Sequence, residues 1–203
     1  MTISHVPAGR AGRQWLRHRL DVAQHGADLL EKKLRALTAH QASLADQAGT
    51  AAAEWAERVH AAQTWQARAT MAGGRRGIRL AEPAGHTVVT FDWTTVMGVR
   101  YPHKATVTDP PSGDTRSVIG SAAVVHTREA FRQALDAAAM YAALTAAVRI
   151  VNAEIATTKQ RVRSLRRRWI PRLQAALAER ELQLEEQERA EAIRHRWADQ
   201  NGR

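Results

Sequence analysis

Apolar residues recur along the first third of this chain at steps that alternate between four and three. The apolar or small positions are Leu16, Leu20, Ala23, Ala27, Leu30, Leu34, Leu37, Leu44, Ala48, Ala51 and Trp55, with Gln41 as a polar interruption. From Gln14 to Ala69 there is no proline, and glycine occurs only at Gly26 and Gly49. Two core positions in every seven residues make a heptad seam. The pattern predicts a long helix, residues 13–70, that buries a narrow stripe against another helix. Such a helix would be roughly 80 Å long. A compact domain of this size cannot cover it, so its partner must also be a long helix.

The same chain supplies that partner. Residues 127–198 contain no glycine and a single proline, Pro171. Thr127, followed by Glu129, predicts the helix start, with acid near the positive end of the helix dipole. The seam runs Tyr141, Leu144, Val148, Val151, Ile155, Thr158, Val162, Leu165 and Trp169, again by threes and fours. It then slips. The next apolar residues are Leu173, Leu177 and Leu184, so two steps of four follow one another. A four-residue insertion into a heptad register is a stutter, which locally unwinds the supercoil. Pro171 falls inside the slip, where a kink disturbs the seam least, because it lacks a backbone donor and presses on the carbonyl four residues earlier. The periodicity resumes at once, which favours one kinked helix over two helices broken at Ile170.

Residues 71–126 read differently. Met71 to Leu80, MAGGRRGIRL, is a glycine-rich helix exit. The segments HTVVTFDW (86–93) and KATVT (104–108) are β-branched and aromatic, and prolines and glycines punctuate them. They predict a small hairpin with its loop at DPPSGD. The fold class is therefore mainly α: a long antiparallel two-helix coiled coil with a small central β-hairpin region. In that arrangement Trp15 and Trp197 are expected to be neighbours.

Composition narrows the function. The chain has 203 residues, no cysteine and a net charge of +10. Without cysteine there is no disulfide framework and no thiol chemistry. The opening MTISHVPAGR has no long apolar core, and the longest near-apolar run, Ala137 to Val148, ends at Arg149. That is short of the roughly 20 residues a membrane span needs, so a soluble, cytoplasmic protein is expected. MAGGRRGIRL lacks the Gly-Lys-Ser/Thr ending of a phosphate loop and follows a helix rather than a strand. His18 and His25 are two helical turns apart, about 10 Å, too far to share a metal ion. Glu185, Glu186, Glu188 and Glu191 interleave with arginines as a solvated face. No catalytic residue, cofactor site or metal site is predicted.

The basic charge is concentrated instead. Between Glu154 and Glu179 there is no acid, while Lys159, Arg161, Arg163, Arg166, Arg167, Arg168 and Arg172 surround the seam. This belt is either a solvated face or a surface toward an acidic or multi-subunit partner. Nucleic acid is a third reading. Sequence-tolerant strand binders interleave aromatics with their basic groove, whereas Trp169 falls on the apolar seam.

Three blocks resemble the D subunit of the V-type ATPase/ATP synthase family, the central rotor shaft. They are LRHRLDVAQHGADLLEKKLRAL (16–37), TTVMGVRYP (94–102) and EIATTKQRVRSLRRRWIPRL (154–173). In the last, Glu154, Ile155, Thr158, Arg161, Val162, Leu165, Ile170 and Pro171 match the family's pattern. The tail LEEQERAEAIRHR is similar to its charged ending. Arg163, Ser164 and Arg166 depart from it, Arg166 standing where the family has Glu. The resemblance implies a non-catalytic axle that carries torque between a catalytic ring of A and B subunits and a membrane ring that moves ions. It implies the F subunit and a membrane-side funnel subunit as further partners, and a location peripheral to the membrane through the complex. It also implies partner contacts at Val96, Met97 and Gly98, in the Val-Met-Gly segment; the acid-free interval itself is what suggests that the basic belt, Lys159 to Arg172, faces the inner surface of the ring. Without the resemblance, a coiled-coil scaffold or a basic nucleic-acid binder remains open.

Overall fold

A computed structural model describes residues 6–80, 85–109 and 122–201. Helix α1 runs Gly9–Leu80. Strands β1 (Val88–Val96) and β2 (Val99–Thr108) form one two-stranded antiparallel sheet. Helix α2 (Ala122–Ser164) leads through a π-helical turn, Leu165–Trp169, into α3 (Ile170–Asn201). The chain divides into two compact units. One is Met1–Arg35 with Ala156–Arg203, and the other is Ala36–Ile155.

The α1 seam is buried as the heptads predict. Leu16, Ala23, Ala27, Leu37, Leu44 and Ala51 are buried, and the same spacing continues through Ala62 and Ala69. Leu20, Leu30 and Leu34 are half-buried at the intervening positions. Trp55 departs from this expectation: it is 38% exposed. The reason is the size of its neighbours. Beyond Ala51 the buried α1 positions are alanines, and α2 answers with Ala134, Ala139, Ala143 and Ala147. Helices with small contact residues approach closely, and an indole cannot enter such a seam. It lies instead across the flank, stacked on Tyr141 with ring centroids 5.5 Å apart. Trp65 does the same on His126, at 4.5 Å.

The helix ends differ from those the sequence pattern predicts. The first helix does not stop near residue 70 but continues to Leu80, broken at Gly74, where φ is 65° and ψ is 178°. That conformation is essentially restricted to glycine, so a glycine-rich exit is present as a break within the helix. The second helix starts at Ala122, not Thr127. Thr127 is buried, and its hydroxyl donates to the Ala123 carbonyl at 2.7 Å. It therefore bonds back into a turn already formed rather than capping a new one.

The slip near Pro171 is a π-turn. The Ile170 N–H donates to the Leu165 carbonyl, five residues back. Proline at 171 cannot donate to the Arg167 carbonyl and crowds it, and a widened turn relieves both defects. The core follows: Leu165 is half-buried, the next buried residue is Ile170 five later, and Leu173 is wholly buried. The extra step thus falls between Leu165 and Ile170, not between Trp169 and Leu173. Leu16, Ala23, Ala27, Ile170 and Leu173 form the core of the terminal unit, with Trp15, Leu20, Leu165 and Trp169 packed around them. Upstream, Val151, Ile155 and Thr158 are buried, while Val148 and Val162 are half-buried.

The hairpin turns at Met97–Gly98, where Val96 pairs with Val99. The expected loop at DPPSGD lies almost wholly outside the described residues. Both turn residues have positive φ, 51° for Met97 and 78° for Gly98. This is the geometry a two-residue hairpin needs to match strand twist. Pro102 sits inside β2 and masks the strand in the sequence pattern. It is tolerated because the register shifts there: Asp92 pairs with Lys104 and Trp93 with Pro102, so His103 is the unpaired extra residue. Its Nδ1 lies 3.1 Å from the Asp92 carbonyl.

The longer apolar stretch bears on the membrane expectation. The α2–α3 stretch contains an 18-residue window of mean hydropathy 1.5, one third of it buried, long and apolar enough to cross a membrane by length and composition. The run from Ala137 resumes past Arg149 into Ile150, Val151 and Ile155. Its buried positions, Ala143, Leu144, Ala147, Val151 and Ile155, recur on the helical seam, as in a core helix.

Candidate partner interface

The basic belt does not behave as one surface. Arg166 points across to α1. Its Nε donates to Glu31 Oε1 at 2.9 Å, and its Nη2 donates to Asp28 Oδ1. Asp28 and Glu31 are three apart, so both carboxylates lie on one helix face. The hydrogen bond to Glu31 is the main reason the guanidinium pKa is held above its ordinary value. Arg166 is thus a cross-helix brace whose charge is already paired, although its side chain remains 41% accessible. Lys159, Arg161, Arg163, Arg167, Arg168 and Arg172 are exposed. Three consecutive arginines on the π-turn explain the split: they fan around the helix, so only one of them can face α1. Trp169 is half-buried against the core and offers no stacking platform.

The hairpin gives a second exposed surface. Met97 is 53% exposed at the turn, Gly98 is exposed and Val96 half-buried. Trp93 is also half-exposed, with the Arg100 guanidinium 5.2 Å from its ring centroid. The opposite face is anchored. Tyr101 is 3% exposed, and its hydroxyl lies 2.6 Å from His40 Nε2 on α1. Burial pushes the Tyr101 phenol above its ordinary pKa. Arg132 on α2 reaches Asp109 after β2 at 3.4 Å. The hairpin is therefore held through Tyr101 and Asp109, with its turn exposed.

Sequence reasoning missed these fastenings. The acids that hold Arg166 could have been suspected, since Asp28 and Glu31 stand at i, i+3 spacing on one helix face. His40 and Tyr101 are 61 residues apart, and no local pattern joins them. Trp15 and Trp197 are not neighbours. Arg10 meets Glu188 at 3.1 Å, so Trp197 lies beyond the point where α1 begins, and it is 67% exposed. Trp15 instead packs in the core beneath Arg19.

Comparison with known proteins points one way. A family profile for the ATP synthase D subunit matches residues 13–200. The A-type ATP synthase D subunit of Halorubrum lacusprofundi is 30% identical over 181 residues, covering 87% of this chain and 79% of that one. The A-type ATP synthase D subunit of Methanopyrus kandleri is 29% identical over 185 residues, covering 88% and 79%.

Proposed function

Since the chain belongs to the family of ATP synthase D subunits, we propose that it is the non-catalytic central-stalk component of a rotary ATP synthase/ATPase. In this reading it transmits torque between an A/B catalytic ring and the membrane ring that translocates ions. Its partners are the A and B subunits, the F subunit and the membrane-side funnel subunit. It reaches the membrane only through that assembly, on the cytoplasmic side.

The observation that carries the reading is the recurrence of buried positions on the heptad seam of α1, from Leu16 to Ala51 and again at Ala62 and Ala69. An axle must resist twisting, and side chains packed on a heptad seam resist it within each unit. The exposed arginines around the π-turn suit an axle in another way. Spread on one segment, they make its faces electrostatically unequal, so a surrounding ring meets a different surface at each angle.

Purification of the complex from its source cells tests the proposal. The chain should arrive with nucleotide-binding A and B subunits and with the F subunit. A chain that elutes alone, or bound to nucleic acid with an affinity that collapses as salt rises, refutes it.

A further inference from the structure

Cross-helix ion pairs in the terminal unit form a ladder. Arg10 on α1 meets Glu188 on α3 at 3.1 Å, and Arg17 meets Glu181 at 2.6 Å. Seven residues forward on α1 correspond to seven residues back on α3, as antiparallel heptads require. Continued by one heptad, the register sets Gln24 against Gln174, two neutral amides. Continued by another, it should set Glu31 against Arg167. Glu31 meets Arg166 instead. The π-turn Leu165–Trp169 lies between these rungs. It holds one residue more than an α-turn, and that extra residue accounts for the shift.

The charges also change sides along the ladder. Arg10 and Arg17 put positive charge on α1, whereas Asp28 and Glu31 put negative charge there. Arg166 is the least exposed arginine of the ladder, its side chain 41% accessible against 58% for Arg17 and 78% for Arg10. We propose that Arg166, gripping Asp28 and Glu31, is a register lock: it holds α1 and α3 in the one alignment that accommodates the extra residue of the π-turn. Slipping the pair by one heptad replaces Asp28 and Glu31 with Asp21 and Gln24 in one direction, leaving a single carboxylate, and with Arg35 and Thr38 in the other, which sets arginine against arginine. The lock also sets the directions of the neighbouring arginines, because with Arg166 held toward α1 the consecutive Arg167 and Arg168 fan to other faces of the turn.

The absence of cysteine allows a clean test on the full chain. Spin labels on Q24C and Q174C report the alignment through dipolar broadening. With Arg166 present, one strongly broadened species is expected. R166E sets a third carboxylate against Asp28 and Glu31; it should reduce the broadening and lower Tm by about 4 °C. The charge-exchanged variant D28K/E31K/R166E restores attraction with the signs reversed and should recover both readouts. Unchanged broadening and Tm in R166E overturn the lock. So does an exchanged variant that behaves no better than R166E. Should R166E fail to fold, the exchanged variant decides alone: folding with strong broadening supports the lock, and failure refutes it.

Discussion

At the scale of single residues, the terminal core depends on a few side chains. Leu173 is wholly buried beside Leu16 and Ile170. Truncation to alanine leaves a void that rigid helices cannot close, and Leu173→Ala should cost about 2–5 kcal/mol in urea unfolding. Tyr101 supplies a different kind of control. Burial favours its neutral phenol, so its folded pKa exceeds the ordinary value of 10.0. A raised pKa gives stability that is complete below pH 10 and lost as pH climbs through the folded value. Thermal melts above pH 10 should therefore show a loss that tracks tyrosinate absorbance, and Tyr101→Phe should abolish that component. The Arg166 brace is legible only in half. Its charge stands out in the sequence, but its direction depends on a turn that the heptads do not reveal.

At the scale of elements, a two-stranded hairpin is marginal by itself. This one persists because Tyr101 and Asp109 fasten it to helices. Its turn is not optimal: Met97 holds a positive φ of 51° that costs an L-residue about 1–2 kcal/mol. Asparagine accepts that conformation readily, so Met97→Asn should stabilise the hairpin by up to about 1 kcal/mol, measured by amide exchange across β1 and β2. The helices are readable because heptad spacing is a local property of the chain. The hairpin is harder to read because Pro102 looks like a terminator. Its tolerance depends on a bulge, and a bulge exists only once two strands have paired. Gly74 is similar: its conformation breaks α1, yet helical residues resume on both sides.

At the scale of the whole molecule, part of a net charge of +10 is neutralised between helices. Arg10, Arg17 and Arg166 are matched across them, whereas Arg167 and Arg168 are exposed. Reversal of Arg167 and Arg168 together should leave stability within about 0.5 kcal/mol, since such surface substitutions touch no core or cap. In the assembled ATPase the same variant should weaken the coupling of ATP hydrolysis to rotation, read as lower torque per ATP consumed. Full coupling would remove the belt from the proposed ring contacts. The sequence by itself determined that two long helices must pair antiparallel, where their seams lie and that one of them slips near Pro171. Those properties follow from periodicity, and periodicity needs no partner to be read. Only the tertiary structure decided that the slip is a π-turn, that Arg166 reaches to α1, that Trp55 is excluded from an alanine seam, and where the hairpin bends. Each of these depends on what stands opposite a residue, and distant segments of one chain come to stand opposite each other only in the folded state.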